Sequence, residues 1–142
     1  MPQPMRNMSM KKKAARSYSP KHLGRRSPQP IEKVDLIPWS GGDIEISLEC
    51  DEFSSLCPVT GQPDFGSLNI RYRPRRHLVE SKSLKLYLWH FRNEGVFNEE
   101  LVARVADDLS RQIRPQWLEV EGKFNSRGGI AISARVERGR RG

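Results

Sequence analysis

Ile44, Ile46, Leu48 and Cys50 alternate with Glu45, Ser47 and Glu49, the period-two pattern of a half-buried strand. After a loop a second alternation sets Leu68, Ile70 and Tyr72 against Asn69, Arg71 and Arg73. The period then changes. Leu84, Tyr87, Leu88 and Phe91 recur at i, i+3, i+4 and i+7, one stripe of a helix, and Gly95 lies just past its end. Leu101, Val102, Val105, Ala106, Leu109 and Ile113 mark a second helix, with Asn98 placed as its N-cap and Pro115 beyond its end. Two further alternations close the chain. Leu118, Val120 and Phe124 face away from Glu119, Glu121 and Lys123, and Ile130, Ile132, Ala134 and Val136 face away from Ala131, Ser133, Arg135 and Glu137. Arg127-Gly128-Gly129 falls between them, which predicts a hairpin.

The predicted order is β-β-α-α-β-β. Four alternating strands and two amphipathic helices imply an α+β fold, an antiparallel four-stranded sheet with both helices on one face. The other face carries charge. Such a sheet has two open edges, and long uncovered edges pair with another chain. An oligomer that joins sheets edge to edge answers that exposure.

Charge divides the chain. Of 25 Lys and Arg residues, eight (Arg6, Lys11, Lys12, Lys13, Arg16, Lys21, Arg25 and Arg26) fall within residues 1–30, which hold no Asp or Glu. Residues 31–142 keep 17 basic and 17 acidic side chains, a net of zero. The excess of +8 therefore belongs to a Pro/Ser/Lys/Arg-rich extension, expected to be disordered because it cannot bury enough surface to offset its ordering entropy. Three readings of it compete: a solvated extension, a salt-sensitive contact with a polyanion, and a transit peptide. Residues 31–142 are read as one domain with a modest core. No apolar run reaches the ~20 residues of a membrane span, and the N-terminus lacks the apolar stretch of a secretory signal. With two cysteines, this predicts a protein of a reducing, cytoplasmic compartment that touches no membrane.

Cys57 is the strongest single candidate for chemistry. It lies outside the first alternation, in the loop Cys57-Pro-Val-Thr-Gly-Gln-Pro-Asp64, seven residues before a carboxylate. A thiolate is the nucleophile of cysteine chemistry, and a neighbouring carboxylate can give or take a proton. A lone cysteine is more often a small buried hydrophobe, a description that suits Cys50 better. Cys50, Cys57, His77 and His90 match no zinc spacing, and no metal site is expected. There is no Gly-x-Gly-x-x-Gly and no phosphate loop. Glu80-Ser-Lys-Ser-Leu-Lys85 opens the first helix, where backbone N–H groups favour an anion and Lys82 and Lys85 share a face. It reads equally well as an ordinary solvated helix start, and Arg127 as either a phosphate contact or a turn residue.

Taken together, Cys57-Pro-Val-Thr-Gly-Gln-Pro-Asp64-Phe65, Glu80-Ser-Lys-Ser-Leu-Lys-Leu-Tyr87, Phe91-Arg-Asn-Glu-Gly95 and Gly122-Lys-Phe-Asn-Ser-Arg-Gly-Gly129 resemble the NADPH-dependent 7-cyano-7-deazaguanine reductases of queuosine biosynthesis, in their short single-module form. The resemblance covers about residues 40–137. It implies the tunnelling fold, shared with GTP cyclohydrolase I, whose β-β-α-α-β-β units join edge to edge into rings that stack as homo-oligomers. It implies reduction of the nitrile of 7-cyano-7-deazaguanine to a primary amine with two NADPH, a step toward a modified tRNA that requires no direct nucleic-acid contact. By that likeness Cys57 forms a covalent thioimide and Asp64 donates the proton. Val79, Glu80, Ser81, Asn98 and Glu99 fall on substrate-binding positions, and Lys82, Lys85 and Arg127 on the NADPH site. The family has His where this chain has Asn98, an exchange that removes a group titrating near neutral pH but leaves a good N-cap. Two other readings stand beside the reductase. One is the related amidinotransferase, which acts on the nitrile already in tRNA and lacks the Glu80–Lys85 segment; the other is a ring-forming binding protein with impaired catalysis.

Overall fold

The computed structural model describes residues 20–24 and 29–142. Among these residues, six strands and two helices follow in the order β1 (Leu36–Pro38), β2 (Ile46–Leu56), β3 (Pro63–Arg73), β4 (His77–Val79), α1 (Ser81–Trp89), α2 (Asn98–Ile113), β5 (Trp117–Phe124) and β6 (Ser133–Gly139). A single 3-10 turn, His90–Asn93, continues α1 toward Gly95. The main sheet is antiparallel, in the order β2-β3-β5-β6, and β1 and β4 form a small separate ladder.

The inner face of the sheet follows from the alternation. Leu68, Ile70 and Tyr72 of β3 and Leu118, Val120 and Phe124 of β5 are buried, in register across the strand pair, beneath the helices. All six apolar residues of the predicted second stripe, Leu101 to Ile113, are no more than 1% exposed on α2. Each such side chain contributes about 1.5–3 kcal/mol relative to full exposure. Leu84, Tyr87, Leu88 and Phe91 join the same core from α1 and its following turn. Tyr87 also donates to Asp108 at 2.6 Å, tying the two helices together. Burial pushes the Tyr87 hydroxyl far above its ordinary pKa, and the bond to Asp108 adds to the rise.

The outer face is ionic. Glu119, 4% exposed, accepts from Arg71 at 2.6 and 3.1 Å and from Arg135 at 3.3 Å. Trp117 lies between the Arg71 and Arg141 guanidinium groups, 5.7 and 4.7 Å from its ring centroid. Part of the neutral charge balance of residues 31–142 thus lies in cross-strand pairs at Glu119.

The structure differs from the sequence reading at several places. The first strand begins at Ile46, leaving Ile44 exposed, and runs on to Leu56, one residue short of Cys57. A bulge between Cys50 and Phe53 turns Asp51 and Glu52 outward. The second strand begins at Pro63, so Asp64 stands on a strand and not in the loop. The last strand begins at Ser133, and Ile130 lies 69% exposed in the turn. Asn98 is not the N-cap of α2 but its first helical residue; Phe97 takes the cap position with no side-chain bond. β1 and β4 have no alternation to betray them, being three residues each.

Most of the extension lies outside the described residues. Its described part, 20–24, is held on the domain: the Lys21 and His22 N–H groups donate to Asp35 Oδ2 at 2.7 and 3.1 Å. No helix among the described residues is long and apolar enough to cross a membrane.

Candidate active site

The loop after β2 is a tight turn built around Cys57. Its N–H donates to the Gln62 carbonyl at 2.8 Å, and its carbonyl accepts from Gly61 N–H at 2.9 Å. Gly61 has φ +70°, in the left-handed region that glycine enters without strain. This closure aims the Thr60 hydroxyl and the Thr60 and Val59 N–H groups at the Cys57 sulfur. Those three hydrogen bonds, the Thr60 hydroxyl foremost, and then the charge of Arg127 lower the thiol from 9.0 to about 7, against a small opposing effect of burial. The lowered pKa favours the nucleophilic thiolate near neutral pH.

Asp64 enters the same site from β3, opposite Ser55 of β2, and is 7% exposed. Arg127 Nη1 donates to Asp64 Oδ1 at 2.6 Å, and Arg127 Nη2 donates to Gln62 Oε1 at 3.2 Å. The Asp64 carboxylate, first of all, and then the neighbouring Cys57 thiol raise the Arg127 pKa. Its position is set by the β5–β6 turn, where Arg127 and Ile130 form an isolated bridge. Gly95 pairs with Leu56, and Val96 N–H donates to the Leu56 carbonyl, which brings the start of α2 to the same end of the sheet. Asn98 and exposed Glu99 thus stand beside Cys57. Asn98 Oδ1 and the Ser55 hydroxyl are buried there without a protein partner.

The other half of the predicted set is elsewhere. Val79 ends β4, and Glu80 N–H donates to the Asp35 carbonyl at 3.0 Å. Asp35 N–H in turn donates to Ser83, and its neighbour Val34 donates to Gln112 near the end of α2. The 16 residues of α2 therefore separate Glu80, Ser81 and Lys82 from Cys57 by about 24 Å, at ~1.5 Å per residue. Glu80 is 3% exposed and caps α1: its two carboxylate oxygens accept from Lys82 N–H at 2.7 Å and Ser83 N–H at 2.8 Å. The helix start expected to receive an anion is thus filled by the chain's own carboxylate. Ser81 and Lys85 line a depression of about 670 Å³ between α1 and the open strand β2. A larger one, of about 980 Å³, lies by Phe65, Lys123 and Asn125. Neither includes Cys57 or Asp64, so volume alone does not find the nucleophile in one chain.

Cys50 behaves as the small hydrophobe it resembles. It packs against the core, and burial raises its pKa. Both cysteines are free, and the six residues of extended strand between Cys50 and Leu56 span roughly 20 Å, too far for a disulfide. His90 Nε2 lies 3.0 Å from Glu94, and no three potential metal ligands meet among the described residues. Sequence reasoning missed Thr60, Gln62 and Ser55. The first two stand inside the Cys57–Asp64 motif, but only the turn geometry gives them their roles.

These features define a tunnelling-fold protein with an activated cysteine at one end of its sheet. An apo crystal structure titled archaeosine synthase QueF-Like has the same fold, with a TM-score of 0.62 at 18% identity, over 73% of this chain and all of that one. The family model described as QueF-like protein matches residues 63–142. The NADPH-dependent 7-cyano-7-deazaguanine reductase of Anaeromyxobacter sp. (strain K) is 50% identical over 104 residues, which cover 73% of this chain and 85% of that protein. The reductase of the same name from Helicobacter pylori (strain P12) is 48% identical over 118 residues, covering 79% and 80%. The chain belongs to the QueF-like protein family.

Proposed function

We propose that this protein is an NADPH-dependent 7-cyano-7-deazaguanine reductase, converting the nitrile to an aminomethyl group on the path to queuosine. The observation that carries the reading is the Cys57 thiol, held near pKa 7 beside Asp64 in a chain half identical to reductases of that name. A nitrile carbon is a poor hydride acceptor. Attack by the Cys57 thiolate turns it into a thioimide, which accepts hydride far more readily. As the carbon–sulfur bond forms, the proton that leaves the Cys57 thiol passes through Asp64 to the nitrile nitrogen. NADPH supplies hydride, twice. Glu99 and Glu80 accept in pairs from the N–H groups of the guanine-like edge, with Val79 and Ser81 beside them and the unpartnered Asn98 oxygen available to the substrate.

Lys82, Lys85 and Arg127 have the chemistry to hold the cofactor's phosphates, but one chain places the lysines and the arginine at opposite ends of α2. The same division separates Glu80 from Cys57. A complete site therefore takes two copies, one presenting Cys57, Asp64, Glu99 and Arg127 and the other presenting Glu80, Ser81, Lys82 and Lys85. The open edges of β2 and β6 are where copies join, edge to edge in a ring.

The test is incubation with 7-cyano-7-deazaguanine, following NADPH oxidation and intact mass. The expected outcome is two NADPH consumed per substrate and an adduct at Cys57 when NADPH is withheld, both lost in Cys57→Ala. Neither signal in the native protein overturns the reading; an adduct without NADPH consumption points instead to the amidinotransferase or to a binding protein. Two inactive variants, Cys57→Ala and Glu80→Gln, mixed and reassembled, should recover about a quarter of the sites, because half the sites draw Cys57 from an intact chain and half of those draw Glu80 from one. No recovery overturns the two-copy site.

A further inference from the structure

We propose that Arg127 is a positioning residue for the Cys57–Asp64 pair, engaged on both before any cofactor binds. The proposal rests on the reductase reading and deepens it.

Three observations support it. Arg127 donates to Asp64 Oδ1 at 2.6 Å while Asp64 is 7% exposed, so the guanidinium is the cation that accompanies a nearly buried carboxylate. Its second nitrogen donates to Gln62, whose own carbonyl receives the Cys57 N–H; the arginine thereby braces the turn that carries the nucleophile. The charge of the same guanidinium also helps lower the Cys57 thiol's pKa. Lys82 and Lys85, the other cations assigned to the cofactor, sit at the far end of α2.

This arrangement holds an Asp64 oxygen on the Arg127 guanidinium, in the same site as the thiol. A Cys57 still carrying its proton passes it to Asp64 as sulfur attacks the nitrile carbon. The carbon–sulfur bond forms, one carbon–nitrogen π bond breaks, and Asp64 hands the same proton to the nitrogen. Adduct formation is then neutral in protons and needs no oxidant or reductant. Arg127 neither gives nor receives the proton; it keeps donor and acceptor facing one another and offsets whichever is anionic.

A purely phosphate-binding arginine and a positioning arginine are separated by reactions without NADPH. For Arg127→Gln, the rate of adduct formation with 7-cyano-7-deazaguanine in the absence of NADPH should fall at least tenfold, and the pH midpoint of Cys57 alkylation by iodoacetamide should move upward. Arg127→Lys, which keeps the charge but loses the fork, should recover part of both. Arg127 is exposed on a turn, and unchanged far-UV circular dichroism checks that the fold is intact. An Arg127→Gln variant with native adduct kinetics and alkylation profile, changed only in KM for NADPH, overturns the proposal. A native protein that forms no adduct overturns the reductase reading and this role with it.

Discussion

Thr60→Val removes one hydroxyl and should be readable in the reactivity of one thiol. Thr60 makes the largest contribution to holding Cys57 near pKa 7 in place of 9.0, ahead of two backbone N–H groups and Arg127. If its share is about one pH unit, the thiolate fraction at pH 7 falls from about one half to about one eleventh. A more basic thiolate is also the better nucleophile, by about threefold per unit at a Brønsted slope of ~0.45. The two effects oppose each other, giving a net slowing of about twofold at pH 7 and an acceleration of about threefold above pH 9.5. The direction is fixed by the reactive species: reactivity appears as pH rises through the thiol pKa, so a raised pKa moves the whole profile to higher pH. The assay is iodoacetamide alkylation of Cys57 in a Cys50→Ala background, followed by mass spectrometry from pH 5 to 10. Profiles that cross between neutral and alkaline pH are expected. Profiles that coincide, or that run parallel without crossing, refute the claim that the turn's donors activate the sulfur.

Two further outcomes follow from the packing. A Cβ at Gly66 would lie 2.3 Å from the Lys123 carbonyl oxygen and 2.9 Å from Phe124 Cα, backbone that cannot rotate away; Gly66→Ala should cost about 3 kcal/mol in urea unfolding and slow Cys57 alkylation through the adjacent Asp64. Burial opposes ionisation of Glu119, but the Arg71 and Arg135 guanidinium groups outweigh it and hold the carboxyl below its ordinary 4.5. Because the folded value is the lower, Glu119 stabilises the fold above about pH 4.5 and that contribution is lost as pH falls through the folded value. Glu119→Gln should therefore lower Tm at pH 7 and narrow the gap to the native protein below pH 4, as scanning calorimetry would show.

The core was legible in the sequence for a simple reason. Alternation and the 3.6 period report which side of an element meets apolar neighbours, and every helical stripe residue, Leu84 through Ile113, is buried as its spacing predicts. Periodicity does not report what a polar side chain bonds to. Glu80 and Asn98 show this most clearly. Glu80, a substrate contact by the family likeness, caps α1 with both carboxylate oxygens, and Asn98, placed by spacing as the cap of α2, lies inside that helix with its oxygen unpartnered. Arg127 stands 63 residues from Asp64. Only the β3–β5 register, pairing Gly66 with Phe124, carries the turn holding Arg127 back to Asp64.

The same register explains why nucleophile and helix start are so far apart. α2 runs the length of the sheet, with Asn98 beside the Cys57 turn and Gln112 beside Val34 and Asp35, which hold Glu80. No rotamer change spans about 24 Å, and the core beneath α2 is too tightly buried to bend it. Closing the site within one chain would mean unfolding it. The edges β2 and β6, whose backbone groups are unpaired by the sheet order of the single chain, are open to a second copy. On the proposed two-copy site, a change that weakens edge pairing should lower activity while Cys57 stays reactive to iodoacetamide; full activity in a variant that runs as a monomer on gel filtration refutes it.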